Sequence, residues 1–337
     1  MNQKNILLGH GSGGHLTHEL IESIFLKHFD NPILNLLSDA ALLPTAKGKI
    51  AFTTDSFVVD PLFFPGGDIG KLAIAGTVND LAVQGARPAF LSAGFILEEG
   101  LSMETLENIV QSMAKEASKA GIQIVTGDTK VVERGKCDKI FINTAGIGLF
   151  DEEFSAIGID LIKTGDKILI NGSIGDHGMA VMSARNQLNI STKVESDCAS
   201  LNGLIDSLSD FKSKIRFMRD ATRGGLATVS AELCKHQNFG VRLFEDKIPV
   251  NEGVRGICEL LGFDPLYVAN EGKVVMVVAN DVSDQMLQVM KNHPLGKDAA
   301  IIGEITSGQE GKCFMETQIG GNRVVDMLAG EQLPRIC

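Results

Sequence analysis

The sequence predicts a two-domain protein of mixed helix and strand, α+β or α/β, ending in a flexible tail. Three observations carry this. A chain of 337 residues is long enough for two separate cores. Extended and helical runs alternate through both halves. An acidic, turn-rich stretch over 150–165 separates the halves. The boundaries that follow are an arm and helix over 1–35, a first domain over 36–150, a second over 160–328, and a tail over 329–337.

The elements follow in order. Gly9-His10-Gly11-Ser12-Gly13-Gly14 reads as a mobile arm, and Leu20, Ile21, Ile24 and Phe25 behind it are spaced as one helix face. In the first domain apolar runs predict strands at 49–54, 89–97, 122–126 and 139–149, with helices at 69–84 and 103–120. The second domain repeats the alternation. Strands are expected at 167–171, 215–218, 241–244, 266–269, 273–279 and 299–305, and helices at 179–185, 226–236, 254–261 and 283–292.

Composition narrows the function classes. The chain is 44% hydrophobic with no Trp and one Tyr, so aliphatic side chains and Phe must fill the cores. A net charge of -11, few aromatics and no Lys/Arg cluster argue against nucleic acid as a partner. The N-terminal apolar run is too short for a signal peptide, and none elsewhere is long enough to span a bilayer. The expected location is cytoplasmic, with reduced thiols. Cys137, Cys198, Cys234, Cys258, Cys313 and Cys337 include no Cys-x-x-Cys pair, which argues against structural zinc and against a disulfide framework.

Three loops or turns carry aspartates suited to chemistry: Asp55 in Thr53-Thr54-Asp55-Ser56, Asp80 after Asn79, and Asp128 in Gly127-Asp128-Thr129-Lys130. An acidic protein that binds nucleotide needs carboxylates for Mg²⁺, which takes oxygen ligands and shares them with phosphates. Turn formation explains many loop aspartates. It explains Asn79-Asp80 poorly, because the pair interrupts a helix of small apolar residues, where a sequestered carboxylate needs a partner. Gly66-Gly67-Asp68-Ile69-Gly70-Lys71-Leu72 fails as a P-loop: it is one residue short between glycines and has Leu72 where Ser or Thr is required. The Gly9–Gly14 run either wraps phosphates with its N–H groups or is simply a flexible arm. Asp220-Ala221-Thr222-Arg223-Gly224-Gly225 opens a helix and offers an anion site through Arg223 and free N–H groups, or a cap through Thr222. Lys130, His177 and Glu271 are the candidate bases.

The chain ends Pro334-Arg335-Ile336-Cys337, a short segment without a packing signature. In an extended chain Arg335 and Cys337 share a face, so a guanidinium should accompany the sulfur and lower its pKa modestly. Extended over 330–337, the tail lets the thiol sweep about 25 Å.

Taken together, the motifs Gly9-His10-Gly11-Ser12-Gly13-Gly14, Thr54-Asp55-Ser56, Asn79-Asp80-Leu81-Ala82, Gly127-Asp128-Thr129-Lys130, Arg219-Asp220-Ala221-Thr222-Arg223-Gly224-Gly225, Asn270-Glu271-Gly272 and the terminal Pro334-Arg335-Ile336-Cys337 carry a family likeness. The chain resembles the carbamoyl dehydratases of hydrogenase maturation. These belong to the superfamily of aminoimidazole ribonucleotide synthetase, selenophosphate synthetase and thiamine monophosphate kinase. The resemblance implies an α+β fold of two α/β-sandwich-like domains of the aminoimidazole ribonucleotide synthetase type, and a homodimer joined through the first domains with ATP near the interface.

It further implies that a carbamoyltransferase loads Cys337, and that ATP drives dehydration of the carbamoyl group to a thiocyanate. An iron-carrying hydrogenase maturation scaffold complex would then accept the cyanide. By the same resemblance Asp55, Asp80, Asp128 and Asp39 would hold Mg²⁺, although Ser38-Asp39-Ala40-Ala41 stands where much of the family has paired aspartates. Gly11, Ser12, Gly13, Asn79, Thr129, Thr222, Arg223 and Gly224 would contact ATP. Cys337 would bear the cargo, with Lys130, Glu271 and His177 assisting. Delivery requires inserted and extruded tail states. The competing classes are a small-molecule kinase or synthase of the same superfamily and a non-enzymatic thiol carrier.

Overall fold

The computed structural model describes residues 5–11, 15–36, 49–150, 157–185, 193–328, 333 and 335–337. Ser12, Gly13 and Asp39 lie outside them. The architecture is α+β in two domains, each with its own sheet. An N-terminal helical run, His15–Leu20 continued by a π-helical stretch Ile21–Leu26, buries Leu20, Ile24 and Phe25 against the first domain.

The first domain comprises β1 (Ile50–Phe57), α1 (Ile69–Val83), β2 (Arg87–Glu98), α2 (Met103–Ala120), β3 (Gln123–Val132) and β4 (Ile140–Leu149). Its sheet runs β1-β4-β2-β3, with β4 antiparallel to β1 and β2, and β2 parallel to β3. A parallel pair needs a long crossover, and α2 supplies it. Ser102 Oγ caps α2 by accepting from the Thr105 N–H at 3.0 Å. Leu106, Ile109, Val110, Met113 and Ala117 form the buried stripe that holds α2 to the core.

Helix α1 is the pivot of the molecule. The Asp68 carboxylate accepts from the Gly70 and Lys71 N–H groups and starts it. Almost every residue from Ile69 to Val83 is buried, because α1 packs on β1 and β4 on one side and on the second domain on the other. A helix apolar on all sides belongs in such a position. Its polar residues Thr77, Asn79 and Asp80 therefore face protein rather than open water.

The second domain comprises β5 (Lys167–Ile170), α3 (Asp176–Ala184), β6 (Ile215–Asp220), α4 (Gly225–Cys234), β7 (Gly240–Phe244), α5 (Glu252–Leu261), β8 (Val274–Val278), α6 (Ser283–Asn292), β9 (Ala300–Thr306), β10 (Cys313–Glu316) and β11 (Asn322–Val325). Their order is β11-β10-β7-β9-β5-β8-β6. Strand β8 is buried at every position, which accounts for its unbroken Val-Val-Met-Val-Val sequence. The strand expected at 266–269 does not form. Pro265 and the Asp264 side chain, which accepts from the Leu266 N–H at 3.0 Å, turn the chain into a short helical turn, Pro265–Tyr267. Among the described residues no helix is long and apolar enough to cross a membrane.

The tail packs where the sequence showed no packing signature. Ile336 is only 3% exposed, and Leu333 packs against the α3–α5 cluster. Arg335 has a φ of 56°, so the chain bends there and the shared face of Arg335 and Cys337 is lost. Arg335 instead pairs with Asp138 at 2.8 Å on the surface.

Candidate active site

Between the domains a cavity of about 60 Å³ is lined by Asp55, Asp80, Asp220, Thr222, Arg223, Glu271 and Cys337. Each comes from a different structural cause. Alternation along β1 turns Thr53, Asp55 and Phe57 toward α1 and leaves Ile50, Phe52, Thr54 and Ser56 on the outer face. Asp80 arrives from α1 and accepts from Thr53 Oγ1 at 2.8 Å. Asp220 closes β6, and Thr222 and Arg223 occupy the loop entering α4. That loop requires Gly224 and Gly225, at φ 74° and 57°; a side chain at Gly225 would strike the Leu266 and Val268 carbonyls. Glu271 precedes β8, and the tail carries Cys337 in from outside both cores.

The electrostatics are those of crowded acids. Burial, then repulsion from Asp80, pushes the Asp55 carboxyl up to about 6. Burial and Asp80 likewise push Asp220 up to about 7. Burial, with Asp220 and Asp197 adding, holds Glu271 well above the usual carboxylate range. Burial and Glu271 push the Cys337 thiol up to about 12, while Arg223, hydrogen-bonded to the sulfur, pulls it down. Proximity to Arg335, expected to activate this thiol, is absent, and the sulfur stays protonated. Arg223 is the only cation in the lining among the described residues. Glu271 Oε1 is buried without a hydrogen-bond partner. Four carboxyls and a thiol facing one guanidinium make a site that a cation would relieve.

Other sequence candidates fall elsewhere. Asn79 has its amide committed across the domain junction: Oδ1 accepts from the Leu201 N–H at 2.7 Å, and Nδ2 donates to the Ala199 and Glu271 carbonyls. It fixes the Glu271 loop beside Asp80. Thr222 does not cap α4; the cap position is Gly224, with no side-chain bond. Gly11 ends a short helical turn at Leu8–Gly11. His177 is fully buried, with both ring nitrogens occupied by Ser196 and the Ile336 carbonyl, and it does not line the acidic cavity.

Asp128, Thr129 and Lys130 stand on the opposite edge strand. The ladder Asp128, Gly94, Asn143, Ser56 crosses three strand spacings, about 14 Å, and sets Asp128 on the face opposite Asp55. One chain therefore does not gather Asp55, Asp80 and Asp128 around one ion. Asp128 is exposed and bonded to Lys130 at 2.8 Å, which holds its carboxyl below the usual range.

Two functional positions escaped sequence reasoning. The sequence presents Asp220 only as the start of a helix-opening loop; its place just after the strand expected at 215–218 is the available signal. Asp197 carried none. It accepts from the Glu271 and Gly272 N–H groups at 3.2 and 3.0 Å and pairs with buried Lys273 at 2.9 Å. Burial would raise its carboxyl, but Lys273 and these donors hold it below the usual range.

Comparison with known proteins places this geometry. Profiles described as the AIR synthase related protein N-terminal and C-terminal domains match residues 37–150 and 163–316. The carbamoyl dehydratase HypE of Azotobacter vinelandii is 48% identical over 328 residues, covering 97% of this chain and 96% of its own. The chain belongs to the HypE family. Among solved HypE structures, one described as the hydrogenase maturation protein in complex with ATP is 50% identical with a TM-score of 0.92, covering 98% of this chain and 99% of that one. The HypE chain of a HypE-HypF complex is 51% identical with a TM-score of 0.80, covering 92% of this chain and 99% of its own.

Proposed function

We propose that this HypE-family chain is an ATP-dependent carbamoyl dehydratase acting on its own Cys337, supplying cyanide for the iron of a [NiFe]-hydrogenase. The observation that carries this reading is the position of Cys337, whose sulfur lies inside the acidic cavity beside Glu271 and Arg223. A carbamoyl group on that sulfur, S–C(=O)–NH₂, becomes S–C≡N when the oxygen and both nitrogen protons leave.

ATP would supply the phosphoryl group that makes the oxygen a leaving group, with Mg²⁺ offsetting the charge. Asp55, Asp80 and Asp220 are the residues that would hold the cation. Glu271 Oε1, unpartnered and beside the sulfur, is placed to exchange a proton with the carbamoyl nitrogen, and burial holds its carboxyl well above the usual range. Arg223 orients the sulfur. The buried seat of the tail keeps water from the reacting carbon.

A homodimer belongs to this reading. Ile50 and Phe52, 58% and 67% exposed, form an apolar patch on the outer face of β1, which ends its sheet among the described residues. Joining two such sheets covers both. It also lets Asp128, Thr129 and Lys130 of a second copy serve the nucleotide that Asp55 and Asp80 cannot reach with them in one chain. The partners are a carbamoyltransferase that loads Cys337, consistent with the HypE-HypF complex among the relatives, and an iron-carrying scaffold complex that accepts the cyanide. A cytoplasmic location suits six free cysteines.

Mass spectrometry of the C-terminal peptide tests the reading. After loading by the carbamoyl donor enzyme, addition of ATP and Mg²⁺ should remove the mass of one water, and Asp80→Asn should abolish that loss. A carbamoyl mass indifferent to ATP sinks the proposal. Activity on a soluble substrate that survives Cys337→Ala would point to a small-molecule kinase or synthase instead.

A further inference from the structure

The tail is held by its backbone, at a place separate from the sulfur. The Arg335 carbonyl accepts from the Asp60 N–H at 3.2 Å and from Arg185 Nη2 at 3.1 Å. The Ile336 carbonyl lies 3.0 Å from His177 Nε2, and the Ile336 side chain is buried. A carbonyl only accepts, so Nε2 must carry the proton. Nδ1 is then the acceptor, and Ser196 Oγ, 2.8 Å away, donates to it while accepting from the Cys198 N–H at 3.1 Å. Every polar atom in this relay has one consistent role. The Phe64 ring packs edge-on to the imidazole at 5.4 Å and closes the remaining side. Burial lowers the His177 pKa, with Asp197 and the Ile336 carbonyl opposing, and the two ring contacts fit a neutral ring in this tautomer.

We propose that His177 is a positioning residue for the tail: with Arg185 and the Asp60 N–H it forms a seat that reads the Arg335 and Ile336 carbonyls and the Ile336 side chain. None of these groups touches the sulfur. The seat therefore accepts the tail whether Cys337 is a free thiol, carries a carbamoyl group or carries a thiocyanate. Insertion is set by the backbone, and the cargo is recognised separately by Glu271 and Arg223. The inference rests on the reading of Cys337 as the cargo bearer, but the cysteine-labelling test of the seat does not.

The test measures reaction of each cysteine in the full chain with an aromatic disulfide reagent, without ATP or carbamoyl donor, by peptide mass. His177→Leu removes the donor and should speed Cys337 labelling about three- to tenfold, the population change expected from losing one hydrogen bond. Cys234 and Cys313, both buried and remote from the seat, should keep their slow rates. His177→Gln restores an N–H donor and should return Cys337 most of the way to the original rate. Ile336→Ala should accelerate Cys337 like His177→Leu, and Ile336 belongs to no domain core cluster. An unchanged Cys337 rate in His177→Leu overturns the proposal. If that variant labels all cysteines together, Ile336→Ala decides, and an unchanged rate there overturns it equally. Carbamoylated and uncarbamoylated protein should show the same protection of the tail from carboxypeptidase; protection that depends on cargo would overturn the claim that the seat ignores it.

Discussion

The cavity around Cys337 and the edge of β3 both present carboxylates beside a basic residue, yet they are opposite kinds of site. At the β3 edge Asp128 is open to solvent and satisfied by Lys130, so its charge is stabilised locally. In the cavity Asp55, Asp80, Asp220 and Glu271 share Arg223, and burial raises three of them. Two clusters that look alike as loop aspartates in the sequence differ because one is packed between domains. The difference teaches that demand for a cation is a property of enclosure, not of the residue type.

The largest effect that would sharpen this contrast lies at Glu271. Glu271→Gln should slow conversion of carbamoylated Cys337 at least about 100-fold, the usual loss of a proton-transfer group. A single-turnover time course of the peptide mass checks it, and a rate near that of the unaltered protein would break the assignment of the cavity as the reactive side.

The two regions should also complement each other across copies. Lys130→Ala and Glu271→Gln should each be nearly inactive alone, whereas subunit mixtures should recover roughly a quarter of full activity, because half of the dimers regain one intact site. No recovery on mixing would place the β3 groups outside the reaction.

A stability comparison follows next in size. Asp220 ordinarily titrates near 3.8 and in the fold near 7. Between those values the native protein keeps a proton the unfolded chain has lost, so stability falls as pH rises through that window, and the penalty is complete above it. Asp220→Asn should therefore stabilise the protein by about 1–2 kcal/mol at pH 8, a value reduced because the residue meets some solvent, and by almost nothing near about pH 3. Asp128→Asn should shift stability by no more than about 0.5 kcal/mol, in the destabilising direction, as for other exposed pairs. Urea midpoints at the two pH values distinguish the cases; equal responses would erase the contrast.

The smallest expected change is at Arg335. Its surface pair with Asp138 leaves the sulfur to Arg223, so Arg335→Ala should alter Cys337 labelling less than about twofold, while Arg223→Ala, which removes a hydrogen bond to the inserted sulfur, should speed it more than that. A large effect of Arg335→Ala would restore the side-by-side arrangement that an extended tail suggests.

Much of the fold was legible because its signals are local. Helices α2 and α6 begin and end where their apolar spacing and flanking residues place them, at Met103–Ala120 and Ser283–Asn292. The missed strand at 266–269 was a contest between an apolar run and the turn chemistry of Asp264-Pro265, which the turn won. At the site, Asp55, Asp80, Glu271, Arg223 and Cys337 were all readable as candidates, but not their grouping.

The sequence by itself determined the alternation of strands and helices, the aspartate motifs, the family likeness and the thiol at position 337, since periodicity, turn residues and motif spacing are written along the chain. Only the tertiary structure decided that Asn79 braces the domain junction, that Asp220 joins the acids while Asp128 does not, that Arg223 rather than Arg335 attends the sulfur, and that His177 holds the tail. Those outcomes depend on strand register, on which sheet face a residue takes, and on burial at a junction between segments nearly two hundred residues apart, such as Asn79 and Glu271. No local pattern encodes them.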